Sequence, residues 1–139
     1  MIKVGQIIYR RFFKNSIRTL SQMRGITWFA HDVGYGGDDS YGPIIHSYEV
    51  IRKPKLLNLD DKKVLDKIKQ KLTKLNKGYL FDPDEIYSGS SGNLKFQTEL
   101  RKAFPKYEGT WILNPDDSEW QGAQEIVLWT NFTKILKKI

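Results

Sequence analysis

The side chains that most often carry chemistry are few here, and their spacing excludes the commonest sites. Cysteine is absent, which removes thiolate metal ligands, a cysteine nucleophile and disulfides together. His31 and His46 are widely separated and show no metal-ligand spacing. Gly34, Gly36 and Gly37 supply half of a dinucleotide-binding fingerprint. The third glycine is missing, as is the helix whose N-terminus would hold a pyrophosphate. A Walker pattern is absent, and the loop around Ser88 and Ser91 lacks the Gly-x-Ser-x-Gly turn of a hydrolase nucleophile. Charge is the remaining signal. Lys and Arg total 23 against 16 Asp and Glu, a net charge of +7. Lysines gather in residues 62–77 and at Lys134, Lys137 and Lys138. A surface of that sign draws in polyanions: nucleic acid, an acidic protein or a phosphorylated cofactor. A solvated lysine face on an ordinary helix gives the same composition.

Any such group needs a scaffold. The 139 residues fit one domain, 1–139, and their 40% hydrophobic and 13% aromatic content is that of a folded chain. No apolar run approaches the ~18 residues that span a bilayer, and residues 1–6 lack the apolar core of a signal peptide. The expectation is a cytoplasmic protein without membrane association, specialised export aside. Short β-branched or alternating runs predict strands over residues 6–10, 25–30, 44–51, 55–59, 109–113 and 124–129. Phe13, Ile17 and Leu20 recur at helical spacing, predicting a short helix over 14–23. Val64, Leu65, Ile68, Leu72 and Leu75 form one apolar stripe, with Asp60 and Asp61 as N-cap candidates and Asn76-Lys77-Gly78 as a C-cap. Asn93 opens a third helix that Pro105 ends. Residues 31–42, 82–84, 88–92 and 114–118 read as loops and turns. Phe132, Ile135, Leu136 and Ile139 suit either a closing strand or a short helix. Without a regular βαβ alternation, the sum is α+β, with a mostly antiparallel sheet and two to three helices.

Three segments, in order, carry a resemblance. The first is Ile8-Tyr9-Arg10 at the end of an early strand. The second is Gly25-Ile26-Thr27-Trp28-Phe29-Ala30, followed by a loop and Ser40-Tyr41-Gly42. The third is Gln124-Glu125-Ile126-Val127-Leu128 in a late strand. Together they resemble the ADP-ribosyltransferase superfamily, which includes bacterial toxins and poly-ADP-ribose polymerases. In that family an early strand ends in Tyr-Arg or His-Gly. A second strand reads Gly-aliphatic-x-Phe-Ala and leads to a Ser-x-x-Tyr or Ala-x-x-Tyr element. A late strand carries Glu ahead of aliphatic residues. Residues 107–112, from Tyr107 to Ile112, also look like the Asp-Gly-Trp-Ile stretch of relatives.

The resemblance implies split, mostly antiparallel β-sheets and NAD as co-substrate. The implied activity is a mono-ADP-ribosyltransferase or an NAD glycohydrolase. Glu125 would be the catalytic glutamate. Arg10, beside Tyr9, would bind the NAD phosphates or the nicotinamide-side ribose. Trp28 and Phe29 would floor the nicotinamide cleft, and the Thr27 hydroxyl would order it. Tyr41, beside Ser40, would stack on the nicotinamide. The chemistry is coherent. Breaking the nicotinamide–ribose bond builds oxocarbenium-like charge, which a fixed carboxylate stabilises more in the transition state than in the ground state. A guanidinium fork matches phosphate geometry, and a tyrosine face stacks and excludes water. The sequence departs from the family at Arg11, where many relatives have Gly. It also departs at Thr27-Trp28-Phe29, which replaces the Ser-Thr-Ser of arginine-modifying toxins, and at Ala123, where those toxins carry a second acid or amide. The polymerase-type His is missing too. The alternative reading is a non-catalytic basic module. In it Lys62, Lys63, Lys67, Lys69, Lys71, Lys74 and Lys77 would engage nucleic acid or an acidic protein.

Overall fold

The computed structural model describes residues 2–31, 42–81, 94–114 and 123–139, with backbone alone at 113, 114, 123 and 124. Seven strands make one hydrogen-bonded sheet: β1 (Ile7–Phe12), β2 (Thr27–Ala30), β3 (Ile44–Val50), β4 (Leu56–Asn58), β5 (Gly109–Asn114), β6 (Ala123–Leu128) and β7 (Leu136–Lys138), in the order β4-β5-β6-β2-β1-β3-β7. Every neighbouring pair is antiparallel except β4 and β5. A parallel pair demands a long crossover. Here it carries α1 (Lys62–Lys74) and α2 (Leu94–Ala103). The fold is α+β and mostly antiparallel, as the patterning predicts.

Helix α1 follows the expected apolar stripe, with Ile68 and Leu72 fully buried. Its N-cap is Asp61, whose carboxylate accepts from the Lys63 amide. Asn76 takes a left-handed conformation (φ 57°) just beyond its C-terminus. Both readings of the closing segment are realised: a four-residue helix, α3 (Phe132–Ile135), runs directly into β7.

Residues 14–23 correct the sequence expectation. In place of one helix they form two 3₁₀ turns, Lys14–Ser16 and Leu20–Gln22, with extended backbone between them. Ser16 Oγ accepts from the Phe13 amide and donates to the Phe13 carbonyl, and Gln22 Oε1 accepts from the Thr19 amide. Side chains that bond the nearby backbone offer it an alternative to helix propagation. The spacing of Phe13 and Ile17 does not reflect burial, since both are exposed.

The ladders are unequal. β1 meets β3 over six residue pairs and β5 meets β6 over six, but among the described residues β1 meets β2 only at Tyr9↔Ala30. Among the described residues the sheet therefore divides into two half-sheets, β4-β5-β6-β2 and β1-β3-β7, joined at that pair. Alternation then sorts the core. On one face Ile8, Phe12, Phe29, Tyr48, Val50, Ile126 and Leu128 pack with Phe132, Ile135 and Leu136, spanning both halves. On the other, Leu57, Ile112, Val127 and Trp129 pack against Ile68 and Leu72 of α1 and Phe96 and Leu100 of α2. This second core takes residues from β2, β4, β5 and β6 and none from β1, β3 or β7. Gln97 fixes α2 to it: its Oε1 accepts from Trp129 Nε1 at 2.9 Å and its Nε2 donates to Thr110 Oγ1 at 3.0 Å, all fully buried. Gly109 lets β5 lie against β6, since a Cβ there would sit 1.9 Å from the Val127 carbonyl oxygen.

Glu108, just before β5, ties the periphery together. Arg52 donates to both of its carboxylate oxygens (3.1 and 2.6 Å), the Lys55 amide to Oε1 (3.0 Å) and Asn131 Nδ2 to Oε2 (2.7 Å). Burial pushes this carboxyl up. The hydrogen bonds from Arg52, Lys55 and Asn131, with the Arg52 charge, outweigh it and hold the carboxyl at about 2. A folded-state value depressed below the ordinary one gives stability that is present above about pH 4.5 and is lost as pH falls through about 2. Glu108→Gln is expected to cost about 2–3 kcal/mol at pH 7, discounted for the exposed side of Arg52, and to flatten the acid limb of stability. Urea denaturation from pH 2 to 7 measures both. A variant with the wild-type acid limb would show that another group sets it.

Candidate functional site

The place where the ladder opens gathers three of the side chains that the sequence points to, Tyr9, Trp28 and Glu125. Tyr9 lies opposite Ala30, and Ala30 lies opposite Glu125 on β6. Directly paired residues share a face, so Tyr9, Ala30 and Glu125 form one row, with Glu125 about 10 Å from Tyr9 at two strand spacings. Ala30 is buried, while Tyr9 and Glu125 are half-buried. Alternation puts Arg11 and Trp28 on this same face, where the helical layer stops. Trp28 packs at the margin of the second core, and its Nε1 is buried without a hydrogen-bond partner among the described residues. Arg11 Nη1 donates to the Gly42 carbonyl at 2.9 Å. Gly42 has φ +109°, and a Cβ there would meet the Phe12 carbonyl group at 2.3 Å, so only glycine brings this backbone so near β1.

Arg10 projects from the other face, with Ile8 and Phe12. The structure therefore does not bring Arg10 and Glu125 to a common face, because an odd number of residues separates Arg10 from the row. The Arg10 guanidinium lies in the opening between the half-sheets. It donates to the Trp28 carbonyl at 2.8 Å, and its Cζ stands 5.3 Å from the Phe12 ring centre. Beside it are His46, its cross-strand partner, and Tyr48. Burial lowers the Arg10 pKa; Tyr48 raises it and Arg18 lowers it further. Burial likewise pushes the Tyr48 hydroxyl up to about 12, against the opposing charge of Arg10. His46 is lowered by burial and by Lys138. Neither the Tyr48 hydroxyl nor His46 Nδ1 has a hydrogen-bond partner among the described residues.

The remaining expected positions serve packing. Thr27 is buried and its hydroxyl donates to the Gly25 carbonyl at 3.2 Å, closing the turn into β2. Phe29 is a core residue set edge-on to Tyr48, with ring centres 5.5 Å apart. Ser40, Tyr41, the Gly34–Gly37 stretch and the Ser88–Ser91 loop lie outside the described residues. His31 pairs with the Gln6 amide near the chain start. Among the described residues no group of three or more metal-ligating side chains comes together, and no helix is long and apolar enough to cross a membrane. Sequence reading weighed Arg11 only as a departure from the family and His46 only as a metal ligand, and it gave Tyr48 no role. The period-two alternation of β1 held the signal for Arg11, since it pairs that residue with Tyr9. Nothing local marked Tyr48, whose place depends on β3 lying beside β1.

Comparison of the chain with protein-family models, with curated proteins and with solved structures finds no match.

The two buried polar groups at the opening predict opposite responses. Tyr48→Phe removes a hydroxyl without a partner, so stability should stay within about 0.5 kcal/mol or rise. Arg10→Leu strips the Trp28 carbonyl of its donor and should cost about 1–2 kcal/mol. Urea midpoints of the two variants decide. A loss above about 1 kcal/mol for Tyr48→Phe would mean that its hydroxyl is bonded in solution.

Proposed function

We propose that the chain cleaves the nicotinamide–ribose bond of NAD, passing ADP-ribose to water or to an acceptor. The observation that carries this reading is the row Tyr9–Ala30–Glu125 across the opening of the sheet. It sets a carboxylate on β6 in line with a half-buried tyrosine two strands away, at the edge of the helical core. The resemblance to ADP-ribosyltransferases names both Tyr9 and Glu125, which share a face of the sheet two strands apart, whereas Arg10 projects from the opposite face.

In this reading Glu125 stabilises the positive charge that develops on the ribose as nicotinamide leaves. Tyr9 and Trp28 supply apolar faces against which a ring or ribose packs. Arg11, on the face of Glu125, takes the phosphate contacts that the resemblance assigns to Arg10. Arg10 keeps the opening in shape through the Trp28 carbonyl. A positively charged surface raises the encounter rate with the doubly phosphorylated co-substrate.

Glu125→Gln is expected to lower nicotinamide release from NAD at least 100-fold, the usual scale for losing one preorganised electrostatic group, with an unchanged urea midpoint. Arg11→Gln should raise KM more than it lowers kcat, and Arg10→Gln should shift stability before affinity. Nicotinamide release followed by chromatography gives the first two, and an acceptor mass shift separates transfer from hydrolysis. Full turnover by Glu125→Gln would end the assignment.

A further inference from the structure

A groove of about 310 Å³ lies at the far end of β6 from Glu125, between the second 3₁₀ turn, the last turn of α2 and the start of α3. Arg24 and Arg101 are the charged residues in its wall, and among the described residues no carboxylate lines it. Ser21, Thr130 and Thr133 add hydroxyls. The Arg24 guanidinium is held in place: its Nη1 donates to the carbonyls of Ser21 at 2.6 Å and Met23 at 2.8 Å. One nitrogen is thereby committed to the backbone and the rest of the planar donor fork is fixed in direction. Arg101 is exposed and makes no ion pair or hydrogen bond among the described residues, whereas its neighbour Lys102 pairs with Glu99.

We propose that this groove binds phosphate groups, with a single-stranded polynucleotide backbone as the source. Two like charges facing one concavity repel each other, and an anion between them turns that repulsion into attraction. Guanidinium forks match phosphate oxygens in a way lysines do not. Hydroxyls at the rim supply the neutral donors common in backbone contacts. Fixing Arg24 beforehand reduces the ordering cost that a free arginine would incur on binding. The site is independent of Glu125 and of NAD turnover.

The test is fluorescence anisotropy of a labelled mixed-sequence single-stranded RNA with the full chain across a salt series. Inorganic pyrophosphate serves as competitor. Arg24→Gln/Arg101→Gln should weaken RNA binding about tenfold or more and reduce the slope of log affinity against log salt by about 1.4, two contacts at ~0.7 each. Arg101→Gln alone should reduce it by about half as much, and because Arg101 braces nothing in the fold, that variant guards against a folding artefact. The charge-matched pair Lys69→Gln/Lys71→Gln on α1 should change affinity less than twofold. Binding of pyrophosphate that is lost in the arginine variants, with no RNA binding, retains the phosphate site and assigns it to a small phosphorylated molecule. Equal losses in the arginine and lysine pairs, or no loss in the arginine pair, overturn the proposal.

Discussion

The backbone pairing of Tyr9 with Ala30 joins the two half-sheets, and the side chains around it answer to that thin connection. A ladder that continues satisfies its own amides and carbonyls. One that opens must satisfy them otherwise or expose them. Here a side chain does the work: Arg10 reaches into the opening and donates to the Trp28 carbonyl. The guanidinium is then half-buried. Phe12 covers it with a ring face, which offsets part of the desolvation of a charge that never titrates in the physiological range. The same crowding buries the Tyr48 hydroxyl and one nitrogen of His46. Thus a single short ladder accounts for the only place, among the described residues, where a cation, a phenol and an imidazole gather inside the sheet.

The helical layer follows from a second constraint. The parallel pair β4–β5 requires a crossover, and both long helices sit in it. They therefore cover the half-sheet that contains that pair, and their core stops at β2. Across the join, the corresponding face of β1 and β3 carries Tyr9, Arg11, Ser47 and Glu49, all half-buried. Glu125 stands on the boundary. Where the helical core stops, Trp28 and half-buried polar side chains lie side by side, the mix of apolar wall and polar groups common in ligand sites.

Much of this was legible in the sequence, and the failures have physical causes. Strands with clear alternation, such as Ile44–Val50, and the stripe of α1 were readable because burial of one face writes itself into the residue order. The segment 14–23 misled because Phe13 and Ile17 mimic a helical stripe while facing solvent. Only the bonds from Ser16 and Gln22 to the backbone decide its form. For the site, the strands carrying Tyr9 and Glu125 could be named, but not the faces. Adjacent arginines at positions 10 and 11 are equal in composition and opposite in direction. Which of them shares a face with Glu125 is fixed by the pairing of β1 with β2 and of β2 with β6, a long-range fact that no local window holds.

The Arg52–Glu108 pair shows what happens in this protein when a guanidinium and a carboxylate meet directly. The two form a forked pair, the acid collects two further donors, and its pKa drops to about 2. Such a carboxylate is spent on structure, because each of its lone pairs is committed and its charge is already answered. An acid that must stabilise a cation appearing only in a transition state needs the reverse: an ionised group whose charge is not cancelled by a neighbouring arginine in the ground state. Arginines that hold the phosphates of the same molecule must nonetheless lie within its length. The row Tyr9–Ala30–Glu125 places one strand, β2, between the strand that carries Arg11 and the strand that carries Glu125. It sets the two backbones about two strand spacings apart, near 10 Å, so one extended co-substrate can reach side chains from both. In the proposed reading, the join of the sheet is therefore more than a gap that Arg10 fills. It sets the strand spacing along which phosphate-binding and ribose-contacting side chains are laid out.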